Sequence, residues 1–313
     1  MCCLLLCSTV IFSGCDNSGQ ENETSGISVS GIAPIDISGE IIPINDAAPD
    51  AAELSDYPII INNTTISEKP ETAICLSSSL TEIIYELGYN DRLIGRGSYC
   101  EYPEEVKSLT DFGRPSAPDL DAIRSAAPDV LITATAIPHI DTVALSDLGI
   151  KVVYISSPHN VDEFGRIYKA IGMIFDGLFE GEEKSSRVSA DIRKAIETSG
   201  ISLGRFIYVT EGLTVAGGDT FESSVLSYFG TNIAAEGSGY MTYDTLSPEE
   251  QPDIVVVSDS VDFDEITADT SLGSLDAVQA GRMIKIGNSY FESPSGRIVN
   301  IIPELNEKGV NNQ

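Results

Sequence analysis

The chain has 313 residues, 48 of them acidic and 18 basic, for a formal net charge of −30 at pH 7. This imbalance argues against nucleic acid and against an anionic lipid surface as partners, because both are held through clustered Lys and Arg. The 42% hydrophobic and 21% charged residues otherwise suit a globular protein with room for two domains. The acidic excess reads as surface solvation that also favours encounter with a basic partner.

Residues 1–15, MCCLLLCSTVIFSGC, form an apolar run too short to span a bilayer, closing on small residues before Cys15. The segment resembles a bacterial lipoprotein signal, in which Cys15 is the lipidation site that anchors the protein to the outer face of the cell membrane. It departs from that pattern in having no Lys or Arg ahead of the run, the first basic residue being Lys69. That points to a start placed too late or to an incomplete chain. With Cys2, Cys3 and Cys7 in the signal, Cys75 and Cys100 remain, expected as two free, half-buried thiols, although an oxidising compartment allows them to pair. Residues 16–56 are rich in Asp, Glu, Ser, Gly, Asn and Ala and read as an acidic flexible tether. The isoleucines Ile27, Ile32, Ile35, Ile37 and those of Ile41–Ile44 leave room in it for a short strand against the domain.

Tyr57–Ile66, YPIIINNTTI, sets two β-rich runs around Asn62-Asn63 and predicts a small hairpin. It opens a first α/β lobe over 57–160. Ala73–Leu76 reads as a buried strand. Ser79-Leu80-Thr81-Glu82 reads as a capping box opening a helix that buries Ile83, Ile84 and Leu87 and stops at Gly88. Leu93–Gly95 is the next strand, followed by the loop Ser98–Pro103. Then come a short helix over Asp119–Ala126, a strand over Pro128–Thr133, a helix over Val143–Leu148 and a strand over Lys151–Ile155. Strands alternating with helices predict a parallel sheet, and open α/β sheets bind ligands outside the carboxyl ends of their strands. The loops at those ends, Ser77–Ser79 and Ser98–Tyr102, are hydroxyl-rich and aromatic and contain no His, Lys or Arg. Such a lining suits holding a molecule better than transforming it.

Residues 161–200 predict a connecting helical segment. Phe164, Ile167, Ile171, Ile174 and Phe175 keep a 3–4 spacing, Gly177 and Gly181 interrupt it, and Val188, Ile192 and Ile196 resume a one-sided stripe. The second lobe, 201–313, repeats the first. A strand over Arg205–Thr210 and a helix over Ser223–Phe229 stopped by Gly230 open it. Pro252-Asp253 ahead of IVVV echoes Pro128-Asp129 ahead of VLIT, and the strand after Gly281 echoes the strand after Gly149. The expected fold class is α/β, two similar doubly wound lobes with a ligand cleft between them, joined by one long helix.

The segments LSSSLTEIIYELG, GSYCEYP, PDLDAIRSAAPDVLI, LGIKVVYI, GGDTFESSVLSYFGTNI, LSPEEQPDIVVV and SYFESPSGRI follow one another from about Tyr57 to Asn306. In that order and spacing the chain resembles the solute-binding proteins of ABC importers for iron-siderophores, haem and cobalamin. Its Tyr–Cys–acid–Tyr–Pro loop looks most like the cobalamin-binding branch. The resemblance implies a monomeric lipoprotein, not an enzyme and without a cofactor of its own, that captures cobalamin or a related corrinoid between its lobes. Delivery to a membrane permease and its ATPase would follow. It further implies that Tyr99 with Tyr102 from one lobe and Tyr243 from the other flank the corrin, as flat rings gain from aromatic stacking. Ser77, Ser78 and Ser79 offer hydroxyl and backbone N–H groups to ligand amides. Cys100 and Phe291 lie in the same matched loops, and Asp121 and Glu249 stand where the family docks onto permease arginines. Two features depart from the family: LSPEEQPD is shortened, and the chain has no Trp.

Haem is the nearest alternative cargo and would draw axial ligands from His139, Tyr240 or Met241. Ferric siderophores, many of them anionic, would need Arg96, Arg114 or Arg297 to point inward. An α/β-hydrolase-type enzyme is the distant alternative, with only His139 and His159 as bases and neither G-x-S-x-G nor H-E-x-x-H in the chain. No metal site is expected.

Overall fold

The computed structural model describes residues 56–245 and 251–308. The signal with Cys15, the tether up to residue 55, and Glu249 lie outside the described residues. The hairpin comes first, as expected: β1 (Ile59–Ile61) and β2 (Thr64–Ile66) pair antiparallel around Asn62 and Asn63, both at positive φ as a tight two-residue turn requires.

In the first lobe, β3 (Ala73–Cys75), β4 (Leu93–Arg96), β5 (Thr110–Asp111), β8 (Val130–Thr133) and β9 (Lys151–Tyr154) form an all-parallel sheet ordered β5-β4-β3-β8-β9. A small ribbon of β6 (Gly113–Arg114) and β7 (Ala117–Pro118) sits beside it. Alternation along the strands feeds two layers. Ala73, Cys75, Val130 and Ile132 pack with α1 (Ser78–Glu86), while Ile74, Leu76 and Leu131 pack with α2 (Leu120–Ala126) and α3 (His139–Ser146). The capping residue differs from the sequence reading. Ser77, not Ser79, caps α1, its Oγ accepting from Leu80 N–H, so Glu82 does not return to the cap and is buried elsewhere.

The second lobe carries β10 (Gly204–Thr210), β11 (Thr214–Ala216), β12 (Gly230–Asn232), β13 (Tyr240–Met241), β14 (Ile254–Ser258) and β15 (Met283–Ile286), ordered β13-β11-β10-β14-β15 with β12 beside the start of β10. The β12, β10, β14 and β15 strands run parallel, like the first sheet. The β11 strand pairs antiparallel with β10, because Glu211–Leu213 reverses the chain in one tight turn instead of crossing over through a helix, and β13 pairs antiparallel with β11. Helices α5 (Phe221–Leu226) and α9 (Ile301–Glu307) pack on one face, and α6 (Phe263–Ala268) and α7 (Asp276–Gln279) on the other.

The duplicated Pro-Asp strands occupy equivalent places, β8 beside β3 and β14 beside β10. Both aspartates do the same work. Asp129 accepts from the Thr72 and Glu71 backbone N–H groups at the entry to β3, and Asp253 accepts from Arg205 N–H at the entry to β10. Each ties the starts of two neighbouring strands and so fixes their register.

The connector is helical over the expected span, as α4 (Phe164–Glu197), and breaks at Gly177, whose φ of 81° and ψ of −170° are not helical. The break is a reversal. Arg193 pairs with Asp162, 31 positions away, whereas a straight helix would hold them roughly 46 Å apart. Lys169 likewise reaches Glu182. Asp56 secures the turn, accepting from Leu178 and Phe179 N–H. Gly181 is helical and does not interrupt the second arm; its role is contact. A Cβ on Gly172 would lie 2.3 Å from Gly181 O, and one on Gly181 2.2 Å from Gly172 O, so the two arms touch backbone to backbone. One apolar cluster runs from Leu80 and Ile83 in α1 through Phe164, Tyr168 and Ile171 in α4 to Phe206, Tyr208 and Phe221 of the second lobe.

Gly172→Ala should therefore destabilise the protein by about 2–3 kcal/mol in chemical denaturation, the range for overpacking a close contact. Gly165→Ala on the same arm, where nothing lies within 4 Å of the added carbon, should be neutral or gain up to about 1 kcal/mol from helix propensity. Equal effects at both positions would contradict the hairpin.

Candidate ligand-binding site

Because β3 and β4 run parallel, the loops leaving their carboxyl ends share one rim, and the segment after β15, including α8 (Ser289–Glu292), faces them from the second lobe. Between them lies a cavity of about 650 Å³ lined by Ser78, Tyr99, Tyr102, Ser289, Glu292 and Arg297, among others. A neighbouring one of about 360 Å³ adds Ser77, Ser79, Arg114, Thr135 and Ser157 and shares Ser78, Tyr99 and Glu292. The loops themselves contain no cation, but the cleft does receive three, Lys107, Arg114 and Arg297, from segments that the strand-end argument did not include.

Local bonds hold the aromatic rim in place. Gly97 lets the loop cross the end of β3, since a Cβ there would stand 2.4 Å from Leu76 O. Ser78 Oγ donates to Tyr99 O at 2.7 Å, and Asp111 Oδ1 accepts from both Ser98 Oγ and Gly113 N–H, tying the Tyr99 loop to the ribbon that carries Arg114. The Arg114 guanidinium lies 5.5 Å over the Tyr99 ring and that of Arg297 lies 4.4 Å over Tyr102. Tyr99 is 61% exposed and Tyr102 46%, far more than buried tyrosines such as Tyr208, so their rings are available to a planar ligand.

Several expected site residues are placed elsewhere. Cys100 is fully buried behind the loop, its thiol accepting from Thr81 Oγ1 and facing Cys75 O, so it lines neither cavity. Cys75 and Cys100 are free and fully, not half, buried; burial pushes both thiols up, Cys75 to about 12. Phe291 is core, in edge contact with Tyr208 and Phe221, while its neighbours Ser289 and Glu292 face the cleft. Ser79 is buried, lines the smaller cavity, and spends its hydroxyl on Pro294 O of the opposite lobe. His139 is exposed at the start of α3 and lines neither cavity. Tyr243 is half-buried against the outer cluster of the second lobe with Met241, and the two cavities do not bring it together with Tyr99. Tyr240 is 54% exposed, its hydroxyl donating to Glu222. Asp121 is exposed on α2 beside Arg124. Among the described residues, no group of three or more His, Cys, Asp or Glu is placed to hold a metal ion.

Sequence reasoning missed the seam at the base of the cleft. Ser79, Glu82 and Glu86, spaced three and four apart on α1, face the segment Pro294–Arg297. Arg297 grips Glu82 with Nε at 3.1 Å and Nη2 at 2.9 Å, and Ser295 Oγ donates to the same carboxylate at 2.6 Å. Glu86 accepts from Gly296 N–H and from the Tyr168 hydroxyl. The available signal was a polar stripe interleaved with the buried Leu80, Ile83 and Ile84. Burial pushes Glu82 up to about 7 even against the pull of Ser295 and Arg297, and it raises Glu86 as well. A carboxyl raised in this way binds its extra proton in the folded state. Its contribution favours the fold below about pH 4.5 and is lost as pH rises through about 7. Unfolding free energy should fall by on the order of 1–3 kcal/mol between those values, and Glu82→Gln should flatten that slope. A slope unchanged in the variant would assign it to other groups.

The geometry has its counterparts. The chain is 22% identical to an uncharacterised ABC transporter substrate-binding lipoprotein of Bacillus subtilis, over 97% of this chain and 94% of that one. It is 23% identical to a cobalamin-binding protein of Halobacterium salinarum, over 75% and 68%. Among solved structures it resembles a periplasmic haem-binding protein of Vibrio cholerae with a TM-score of 0.63 and 20% identity, covering 76% of this chain and 98% of that one. Residues 74–290, both sheets and the connector between them, match the periplasmic binding protein family, and the chain belongs to it.

Proposed function

We propose that the protein is the substrate-binding lipoprotein of an ABC importer and that its cargo is cobalamin or a related corrinoid. The observation that carries this reading is the pair of exposed tyrosines, Tyr99 and Tyr102, on one loop above a roomy inter-lobe cavity. A flat conjugated macrocycle gains most from such faces. The hydroxyls of Ser77 and Ser78 and the carboxylate of Glu292 supply acceptors for the amide groups that fringe a corrin. Cobalamin-binding relatives support the same reading. On this reading the cargo is bound and released without covalent change. Lipidation at Cys15 would tether the protein to the outer face of the cell membrane, and Asp121 with Glu249 would meet the permease. We infer a monomer.

A second reading, haem, is favoured by one contact. Arg114 over Tyr99 sets a cation with no carboxylate partner among the described residues at the mouth of the cleft, suited to a propionate. His139 and Met241 add nothing to it where they stand.

Absorbance titration of the purified protein with cobalamin, haem and a ferric siderophore separates these readings, because all three are coloured. Cobalamin should bind most tightly, and Tyr99→Ala with Tyr102→Ala should weaken it at least tenfold, about 1.4 kcal/mol or more, with the thermal midpoint near that of the parent. Unchanged affinity would remove the stacking role. Tighter binding of haem, lost in Arg114→Gln, would transfer the assignment to the second reading.

A further inference from the structure

The guanidinium of Arg297 occupies a place that the cargo reading does not use. It stems from the second lobe, is fixed on Glu82 of the first, and lies over two rings at once, Tyr102 of the first lobe at 4.4 Å and Tyr290 of the second at 5.8 Å. Its Nη2 also donates to Ser289 O, the first residue of α8, which lines the cleft. Only 15% of the Arg297 side chain and 2% of that of Glu82 is exposed, so water does not compete for this geometry. Beside the group lies a third cavity, of about 770 Å³, lined by Tyr85, Glu86, Val188 and Ile192 among others. That cavity and the cleft share Glu82, Tyr102 and Arg297.

We propose that Arg297 is a positioning residue that couples the angle between the lobes to the ring of Tyr102, so that the closed seam presents Tyr102 to the cargo and an opened seam releases it. The inference rests on the reading of Tyr102 as a cargo contact. Three facts converge on it. A planar cation can stack on a ring and donate two hydrogen bonds to a carboxylate in its own plane at the same time, which a lysine ammonium cannot do. The anchor and the ring both belong to the lobe opposite to the arginine, so a separation of the lobes that carries Arg297 away breaks the ion pair and the ring contact together. The remaining seam bonds, Ser79 to Pro294, Ser295 to Glu82, and Gly296 to Glu86 and Tyr168, bridge α1 and the connector to the same short segment, so they open with it. Coupling of this kind needs two packed arrangements that the cargo distinguishes, and a ring held in one and freed in the other is such a difference.

The test uses Arg297→Lys and Glu82→Gln in the full chain. Glu82 is the informative arm, because its carboxylate is bonded to Arg297 and Ser295 and not to the Tyr102 ring. Each variant should weaken cobalamin binding about tenfold. The double variant should cost no more than either single one, since each breaks the same link. In the cargo-free protein, backbone hydrogen exchange over 98–103 should rise in both variants, while that of β3 and β10 stays at the parent level. Full affinity in Glu82→Gln, additive losses in the double variant, or unchanged exchange over 98–103 would each overturn the proposal. A parent protein that binds neither cobalamin, haem nor siderophore would defeat the cargo reading instead, and the exchange measurement would still decide the coupling.

Discussion

At the base of the cleft one carboxylate, Glu82, and one guanidinium, Arg297, are largely shut away from water, and the segments around them are arranged to satisfy them. Removing charged groups from solvent costs more than their mutual attraction returns unless every remaining lone pair and proton is met. Here the Arg297 fork takes one carboxylate, Ser295 completes it, and Gly296 N–H and Tyr168 take the other. With two acids facing one base, the seam also retains a proton more readily than an exposed carboxylate would. Those demands come from three separate parts of the chain: α1, the first arm of the connector, and the segment before α9. They can be met together only if both lobes dock in one orientation, and that orientation sets the width of the cleft.

The lobes obtain their own order from a simpler rule applied twice. An aspartate at the start of a central strand collects the backbone donors entering its neighbour, as Asp129 does for β3 and Asp253 for β10. Strand entries are thereby level, strand exits are level too, and the exit loops meet at one rim. The two sheets stay separate; what joins them is the folded connector and a shared apolar cluster. The resulting cleft has walls of mixed character, with hydroxyls and tyrosines from the first lobe, a carboxylate from the second, and two arginines lying over the tyrosines. Stacked guanidinium groups leave the outer ring face open while lowering the freedom of the ring, a useful property in a surface meant to receive a flat molecule.

Much of this was legible in residue order. The alternation of strands and helices, the hairpin at Asn62-Asn63, the paired Pro-Asp strands, the break at Gly177 and the loops bearing Ser77, Ser78, Tyr99 and Tyr102 all follow from local pattern, because backbone propensity and hydrophobic period act over a few neighbours. The misplacements share one cause. Phe291 and Cys100 sit in loops that do reach the cleft, but a side chain in a loop can turn either way, and packing against Tyr208 or Thr81 turned these inward. Glu82 resembled a capping acid because capping is a local motif, and its true partner lies 215 positions away.

The amino-acid sequence thus determined the inventory: two α/β lobes, a helical connector with a break, and two cation-free, hydroxyl-bearing loops at the rim of the first lobe, one of them carrying the tyrosines. Tertiary structure alone decided that the connector doubles back, that Arg114 and Arg297 enter the cleft from outside its loops, and that the buried Glu82, with Glu86 beside it, ties the lobes together. The reason is range. Period, propensity and turn chemistry are summed over adjacent residues, whereas a buried ion pair or a ring under a guanidinium depends on which distant segments come to share the same dry volume.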